Sequence, residues 1–565
     1  MRDPATDRAA PTATRATRAG TAVLLVLAAS QFLMVLDAAV MNVSISQLVA
    51  DFDTTVTTIQ GVITLYALVM AALFMTGGKL GDILGRRRAF VIGHVIYGAG
   101  SLLTALAWSV ASLTLGWSIL EGIGASMVLP ALAALVAGNF QGRARAAAYG
   151  ALGGVAGAAI AVGPILGGWL TTELTWRLVF AGEVVIALAI VLATPRLVRD
   201  APREGPAPEL DLVGSLLSAL GLGLVVYGVL SASRWGWLAP RDSPLTPFGF
   251  SLTPFVVAAG AVLLYAFRGW ERRREDAGRG PLVHFALLRR PVLRAGLVTF
   301  LGQNLVLMGV FFAVPLYLQI VQGFDALQTG IRMLPTSIAL LVTALLGGRL
   351  ASRFSPRAIV RVGFLFLLAA VGFLLGTIEP QIDTTDFDVA MAVLGVGMGL
   401  VVSQLGNVVQ SAVEESDRSE AGGLQYTAQQ LGSSLGTALI GALVISGLAL
   451  AFTVNVTADP RISQSVKDQV SVRLEGSISF VDTATVQTAA QQAGVSPAET
   501  SALVEGYSDA QLKALKIGLL ACGFVVLASL LATRNLPRRR LGESEDEEGG
   551  EKAVEPLAQP PPTPA

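Results

Sequence analysis

Residues 78–88 of the chain read Gly78-Lys79-Leu80-Gly81-Asp82-Ile83-Leu84-Gly85-Arg86-Arg87-Arg88. The stretch separates two long apolar segments, so the chain has to reverse its direction here within a very short turn. Glycine permits the tight backbone that such a turn needs. The Asp82 carboxylate can cap the start of the following helix and pair with Arg86 or Arg87. We therefore predict a charged turn between two membrane-spanning helices.

The chain as a whole is apolar, with 53% hydrophobic and 14% charged residues. Soluble proteins carry about 25% charged residues. A helix needs about 20 apolar residues to cross a bilayer, and apolar runs of that length recur along the chain. We predict an all-α polytopic membrane protein with fourteen spans. The predicted spans cover residues 20–46, 57–77, 88–107, 111–138, 146–170, 176–195, 211–231, 254–268, 293–319, 328–351, 358–377, 387–413, 420–450 and 511–532.

Positive charge is distributed unevenly between the two sides of the predicted helices. An even number of spans puts both termini on one side, and most of the 40 Lys and Arg residues lie in the tails and loops of that side. The opposite loops carry acidic residues such as Asp51, Asp53 and Asp383. Because cytoplasmic loops are enriched in Lys and Arg, we expect both termini in the cytoplasm. The abundance of Ala, Gly and Arg is typical of a GC-rich bacterial gene, so we expect a multi-pass protein in the lipid bilayer of the bacterial cell (inner) membrane.

The second half of the chain repeats the organisation of the first. Residues 348–352 are a weaker copy of the turn at 78–82, and six predicted spans lie on each side of the region 196–292. Two six-helix bundles joined by two inserted helices form an architecture typical of transporters, and we expect a monomer. The predicted parts are a cytoplasmic tail at 1–19, an N-terminal six-helix bundle at 20–195, a linker with two extra transmembrane helices at 196–292, a C-terminal six-helix bundle at 293–532 that includes an exterior segment at 452–510, and a disordered cytoplasmic tail at 533–565.

This architecture suggests a mechanical role for the charged turn at 78–88. If the two halves rock against each other, a charged knot at their cytoplasmic side can hold them together and release them. A turn that only follows the positive-inside rule is the alternative interpretation. The residues predicted to form this conformational lock are Gly78, Asp82, Gly85, Arg86 and Arg87.

The exterior segment at 452–510 is long and polar. The pattern Ser496-Pro497-Ala498-Glu499 is typical of a helix start, so we predict a small helical cap outside the membrane. The segment leaves room for an exterior partner that receives a transported molecule. A segment without function is the alternative.

Three carboxylates fall inside predicted spans, namely Asp37, Glu121 and Glu183. At about 1.5 Å per residue, they lie at a similar depth in the outer half of the membrane. An ionisable side chain there costs about 2.5–3.5 kcal/mol, so each is expected to face a cavity or a partner. Desolvation and neighbouring negative charge both favour the protonated form of a carboxyl group. We predict Asp37 as the main proton carrier and the two glutamates as coupled or substrate-contacting groups, with structural hydrogen bonding as the alternative.

Three motifs together resemble a known family. The turn at 78–88 resembles the loop signature of the major facilitator superfamily, and residues 36–43 resemble the signature of its fourteen-span drug:proton antiporter branch. In span 5, Gly150 and the run Gly163-Pro164-Ile165-Leu166-Gly167-Gly168 resemble the motif shared by the family's exporters, although Ala159 stands where a further glycine is usual.

The resemblance implies the major facilitator fold and an antiporter of the multidrug efflux type. It also implies a hinge in span 5 that disfavours leakage during exchange. Simple close packing is the alternative, and it explains the glycines but not the proline between them. The residues assigned to this antiporter motif are Gly150, Gly163, Pro164, Gly167 and Gly168.

The carboxylate region departs from the family pattern. Ser118 stands where the span-4 motif has an arginine, Glu121 replaces a nearby glutamine, and Glu183 stands where asparagine is common. The basic partner expected near Asp37 is therefore missing. An acidic cavity without compensating charge attracts cations, so the sequence favours cationic substrates.

Uncharged polar and aromatic side chains supply further candidates, most of them in the C-terminal half. Such groups can line a substrate pathway, although they also serve as packing contacts between helices. The residues predicted to line the pathway are Asn42, Gln303, Asn304, Phe312, Gln404, Asn407, Gln425 and Gln429.

Several classes of function lack their motifs. The sequence has no Walker loop for ATP, and its two histidines, His94 and His284, have no metal-ligand companions. We therefore predict no enzyme, no cofactor, no metal site and no nucleic-acid partner. We predict a proton-driven antiporter that exports amphipathic or cationic drugs or antibiotics by alternating access. A dedicated exporter of an endogenous lipid or secondary metabolite and a non-transporting membrane receptor or adaptor are the alternatives.

Overall fold

The computed structural model of the protein describes residues 10–140, 142–200, 209–351, 353–414, 418–468 and 480–538. The terminal parts of both predicted tails therefore lie outside the described residues. The regular elements in the described part are helices, as the sequence predicts. The main helices are α1 (Ala10–Val43), α2 (Ile45–Asp51), α3 (Val56–Leu84), α4 (Arg86–Ala105), α5 (Val110–Leu113), α6 (Gly122–Asn139), α7 (Gly142–Glu173), α8 (Arg177–Leu197), α9 (Leu212–Trp235), α10 (Thr253–Asp276), α11 (Pro291–Leu316), α12 (Ala326–Ala351), α13 (Pro356–Thr377), α14 (Thr384–Ser411), α15 (Arg418–Ala458), α16 (Thr483–Gln492) and α17 (Pro497–Ala532).

Two π-helical segments continue these helices. Residues Thr114–Glu121 join α5 to α6, and residues Tyr317–Val321 extend α11. A π-helical segment widens the turn and is frequent at functional sites. The first of these segments belongs to the predicted span that contains Glu121.

Thirteen helices of the described part are long and apolar enough to cross a membrane. They correspond to the predicted spans except that at 88–107, where the structure has α4. This helix is long enough but less apolar, because His94, Ser101 and Thr104 are buried on its inner side and arginines occupy its first turn. The described residues thus contain thirteen candidate spans against fourteen predicted, and α4, whose buried polar groups face protein, occupies the position of the remaining one.

The helices pack as two bundles with an inserted pair. In the first half, α1 packs on α7 and α8, α3 on α6, and α4 on α6 and α8. In the second half, α11 packs on α15 and α17, and α14 on α12 and α13. The halves meet where α7 packs on α12 and α3 on α15, and the pair α9 and α10 attaches through α9 to α3 and α15.

Side-chain contacts between α3 and α15 connect the two halves. The Gln60 side-chain amide donates to the Thr437 carbonyl at 2.8 Å and to the Ala438 carbonyl at 3.3 Å. Further along the same helix pair, the Phe74 and Tyr426 rings stack with centroids 5.5 Å apart. The helices α3 and α15 therefore touch over most of their shared length.

The helices next to the segment 452–510 extend beyond the predicted spans. Helix α15 has 41 residues and α17 has 36, whereas about 20 suffice to cross a bilayer. The predicted helix start is confirmed, because Ser496 and Glu499 form a reciprocal capping box ahead of α17. A cavity of about 500 Å³ lies between the two helix ends and is lined in part by Asn455, Arg461 and Glu505.

Candidate functional site

The structure brings the three predicted carboxylates together. Asp37 comes from the last two turns of α1, Glu121 from the end of the first π-helical segment and Glu183 from the first turns of α8. One oxygen of each lies within 4.8 Å of the others. All three side chains are buried, with 0–1% of their surface exposed. The three carboxylates, which residue counting places at a similar depth, are thus also close neighbours in the structure.

Asp37 is held by an indole. The Nε1–H of Trp117 donates to Asp37 Oδ1 at 2.6 Å, and the Trp117 ring stacks on Tyr66 of α3 with centroids 4.5 Å apart. Trp117 is buried and belongs to the same π-helical segment as Glu121. The packing therefore fixes the direction from which Asp37 receives its hydrogen bond.

The two glutamates are held by hydroxyl groups from α4. Glu183 Oε2 accepts from the Tyr97 hydroxyl and the Ser101 hydroxyl, each at 3.2 Å. Glu121 Oε1 accepts from the Thr104 hydroxyl at 3.2 Å. Tyr97, Ser101 and Thr104 follow one another at spacings of four and three residues, which place them on one face of the helix. This polar face is the signal in the sequence that identifies α4 as the wall of the site.

The cluster lacks a balancing positive charge. The ion pairs of the described residues lie elsewhere. Ser118 donates to the Val62 carbonyl at 2.8 Å and leaves the carboxylates without the basic group that the family pattern provides. At about 5 Å, two negative charges repel by about 3 kcal/mol even at an effective dielectric of 20. The three groups cannot all be ionised at once, so the cluster has to hold protons or a cation.

The spacing of the three carboxylates is compatible with protons or with one metal ion. Three carboxylate oxygens at this spacing can contact one cation, and no other such group of ligands occurs among the described residues. A hard cation takes six or more oxygen ligands, and beside the three carboxylates the described neighbours are an indole N–H, which cannot be a ligand, and hydroxyls that also contact backbone carbonyls.

The predicted lock residues lie at the turn between α3 and α4. Gly85 has a φ of +94°, a left-handed backbone that favours glycine. Asp82 lies 3.9 Å from the guanidinium of Arg86, and both side chains are partly exposed, so this ion pair contributes little. The backbone N–H of Arg87 donates to Asp200 at 3.3 Å, a contact that the sequence did not reveal. Gly78, also in α3, faces Pro130 of α6.

A strap formed by residues 281–284 connects the lock region to the inserted pair and to the second half. Lys79 of the charged turn donates to the Pro281 carbonyl at 3.1 Å. Buried Glu271 of α10 accepts from the backbone N–H groups of Leu282 and Val283 at 2.6 and 3.2 Å. His284 Nδ1 lies 2.6 Å from a carboxylate oxygen of Glu420 in α15. Glu271 was missed because a carboxylate near a helix end looks solvated in the sequence.

The antiporter motif lies where α7 meets two other helices. A Cβ on Gly163 would lie 2.5 Å from Ala39 of α1, and one on Gly168 would lie 2.4 Å from the carbonyl oxygen of Ala326, the first residue of α12. Gly167 faces Val40 in the same way as Gly163 faces Ala39. These glycines permit helix approaches that no larger residue allows.

The remaining residues of the motif lie in α7. Pro164 is inside the helix, and its carbonyl oxygen is 2.1 Å from the position that a Cβ on Gly330 of α12 would take. Gly150 lies near the start of α7. The motif therefore spans a helix that packs on α1 at one face and on α12 at another.

The predicted pathway residues are not gathered at one place. Gln303 and Gln404 are buried, and the Gln404 amide donates to the Gly347 carbonyl at 3.0 Å. Phe312 is fully buried in the hydrophobic core, so in this conformation the structure does not place it on an accessible surface. Asn407 is exposed on α14.

The other four pathway residues are more or less buried, and two of them bond their own helix. The amides of Asn42 and Asn304 donate to the carbonyls of Ala38 and Phe300, at 2.7 and 3.0 Å. Gln425 and Gln429 are half-buried on α15. The polar surface is therefore spread over α14 and α15 rather than focused on a pocket.

Comparison with known proteins identifies relatives over most of the chain. A family model of the Major Facilitator Superfamily matches residues 27–437. The chain is 32% identical over 443 residues to the probable actinorhodin transporter of Streptomyces coelicolor, covering 77% of this chain and 74% of that protein. It is 31% identical over 423 residues to the tetracenomycin C resistance and export protein of Streptomyces glaucescens, covering 75% and 76%.

One further relative and one solved structure are also similar to this chain. The multidrug efflux pump LfrA of Mycolicibacterium smegmatis is 29% identical over 436 residues, covering 77% of this chain and 82% of the pump. Among solved structures, an inward-facing, unoccupied bacterial homologue of the human lysosomal transporter Spinster superposes with a TM-score of 0.58 at 14% identity. That superposition covers 93% of this chain and 99% of the other, and it shows a common fold.

Proposed function

Because the chain belongs to the Major Facilitator Superfamily, we propose that it is a proton-coupled antiporter that exports amphipathic or cationic small molecules, antibiotics among them, by alternating access. The observation that carries the proposal is the group of three buried carboxylates within 4.8 Å of one another. The names of several relatives, which refer to antibiotic export, antibiotic resistance or multidrug efflux, support the substrate class.

The carboxylates provide the coupling. A site that cannot keep three negative charges takes up protons when it faces the exterior and releases them when it faces the cytoplasm. Each proton that moves inward across 100 mV supplies about 2.3 kcal/mol for the outward movement of substrate. A cationic substrate and a proton compete for the same negative charge, so one leaves as the other binds.

The proposal also covers the location, the oligomeric state and the driving force of the protein. The protein would lie in the bacterial cell membrane as a monomer, with both termini in the cytoplasm, and the proton gradient would drive it without a cofactor or a metal ion. The proposal is a transporter and not an enzyme, in keeping with the family to which the chain belongs.

Efflux of ethidium from proteoliposomes with an imposed proton gradient tests the proposal. We expect the native protein to move ethidium and protons in opposite directions. Asp37→Asn should reduce proton-driven efflux to the level of empty vesicles, and Glu121→Gln and Glu183→Gln should weaken the coupling. Asp242→Asn, which breaks an exposed ion pair with Arg234, is the control and should transport at the native rate. Native-rate efflux by Asp37→Asn with an intact gradient would refute proton coupling through this residue.

A dedicated exporter of one self-made compound is the second candidate. It is favoured by the names of two relatives, which refer to the single compounds actinorhodin and tetracenomycin C. A panel of unrelated dyes and antibiotics distinguishes the two. Efflux of several members of the panel supports the broad exporter, whereas proton movement with one compound and with none of the others supports the dedicated one.

A further inference from the structure

The groups around the carboxylate cluster differ in what they can do with a proton. A hydroxyl group can donate or accept a hydrogen bond, so the hydroxyls of Tyr97, Ser101 and Thr104 suit a carboxyl group in either protonation state. The indole N–H of Trp117 can only donate. The atom that it contacts, Asp37 Oδ1, therefore has to be an acceptor at all times.

The Trp117 contact is also the shortest in the cluster. Its length of 2.6 Å compares with 3.2 Å for the hydroxyl contacts of the glutamates. Short hydrogen bonds of this kind occur where the acceptor is ionised, and they are about twice as strong as neutral ones. The Ser101 and Thr104 hydroxyls are in addition shared with the carbonyls of Tyr97 and Gly100, which weakens their hold on the glutamates.

From this asymmetry we infer that Trp117 is a positioning residue that selects Asp37 as the carboxyl group to lose its proton, while Glu121 and Glu183 keep theirs. The inference rests on the proposed proton coupling and deepens it. The cluster then carries one negative charge and two protons in its charged state, and three protons in its neutral state. One proton is exchanged at this site in each cycle.

The other titratable groups that face Asp37 fit this assignment. They are Tyr66 on α3 and Tyr97 on α4, whose hydroxyls also lie within hydrogen-bonding reach of the Asp37 carboxyl group, and the two glutamates. Helix α7 also packs on α1, and there Gly163 and Gly167 face Ala39 and Val40. Tyr66 is held flat against the Trp117 ring, so the stacking keeps the indole N–H directed at Asp37.

Infrared difference spectroscopy of the reconstituted full chain tests the inference without a substrate. As pH is raised, the native protein should lose one protonated-carboxyl band, and Asp37→Asn should abolish that loss. Trp117→Phe keeps a ring to stack on Tyr66 but removes the N–H that stabilises the ionised form. The midpoint for loss of the band should therefore move to higher pH, by about 1–2 units for a hydrogen bond to a charged group.

The chain offers a matched control. Trp176 is also buried and donates its indole N–H to an aspartate, Asp51 Oδ2, at 2.8 Å, but this pair is separate from the cluster. Trp176→Phe should leave the midpoint of the band unchanged. An unchanged midpoint in Trp117→Phe, or a band that still titrates in Asp37→Asn, would overturn the inference.

A second measurement needs no substitution at Trp117. In the native protein, the Raman marker of indole hydrogen bonding should change at the same midpoint as the carboxyl band, and Asp37→Asn should abolish that change. An indole marker that stays constant while the Asp37 band titrates would overturn the inference even if Trp117→Phe does not fold. Failure of the proposed function looks different, because proton-driven efflux would then be missing from the native protein while the spectra still titrate.

Discussion

At the scale of single residues, burial of Glu183 depends on two donors from one helix. Tyr97 and Ser101 both reach Glu183 Oε2, and within the described part of the chain its other oxygen, Oε1, has no hydrogen-bond partner. Burying a carboxyl group without any hydrogen-bond partner costs more free energy than burying one in which one of the two oxygens has partners. The hydroxyls of Tyr97 and Ser101 therefore stabilise the buried carboxyl group of Glu183.

We expect the double change Tyr97→Phe with Ser101→Ala to destabilise the protein by about 1–3 kcal/mol, because it leaves Glu183 Oε2 unsatisfied. Thermal unfolding in detergent should show a lower Tm for the double variant than for either single variant. Tyr265→Phe, which removes the hydroxyl of an exposed tyrosine, should unfold like the native protein. Equal Tm values for the double variant and the native protein would show that another group supports Glu183.

The sequence could predict the carboxylates of the site but not their donors. Asp37, Glu121 and Glu183 stand out because charge inside an apolar span is rare, and counting residues gives their depth. Trp117 does not stand out, because its ring is one more large apolar group in an apolar span and nothing in the sequence shows where an indole N–H points. The contact of Asp200 with the charged turn is long-range in sequence and follows only from packing.

At the scale of helices, α7 carries two close contacts on different faces. Its glycines 163 and 167 lie on α1, which bears Asp37, and Gly168 lies against the start of α12. The pair α7 and α12 is one of the two main helix pairs where the halves meet, so a movement of one half against the other changes this contact. The exporter motif was recognised from its resemblance, whereas its position between Asp37's helix and the second half required the structure.

Gly168→Ala should lower transport, because the new Cβ would lie 2.4 Å from the Ala326 carbonyl oxygen and force α7 and α12 apart. The expected cost of such overpacking is about 1–3 kcal/mol. Gly154→Ala on the same helix is the control, since nothing lies within 4 Å of its Cβ position, and it should transport like the native protein. Dye efflux from vesicles with matched protein content measures both, and equal rates for the two variants would contradict the packing argument.

At the scale of the whole molecule, the inserted pair is connected to both halves. Its helix α9 packs on α3 and α15, and the strap at 281–284 contacts Lys79 on one side and Glu420 on the other. The sequence indicated two extra helices but no contacts for them. The apolar runs of the sequence give the number of helices. The contacts of the strap at 281–284 depend on backbone hydrogen bonds, and these leave no pattern in the sequence.

Asp82→Asn should lower the turnover of efflux without abolishing substrate binding, because the charged turn would act on the exchange between conformations and not on the site. Ethidium binding by fluorescence and efflux from vesicles separate the two effects. Asp276→Asn, an exposed carboxylate at the end of α10, is the control and should alter neither. Unchanged turnover in Asp82→Asn would remove the conformational lock from the mechanism.

The length of α15 has a mechanical consequence. Its 41 residues give a rod of about 60 Å, roughly twice the thickness of the hydrocarbon layer. A tilt of about 10° around the middle of the bilayer would displace the tip at Asn455–Ala458 by several ångströms, far more than any atom near the carboxylates. Because the open pocket at that tip is lined by residues of both α15 and α17, a tilt of α15 relative to α17 would change its width.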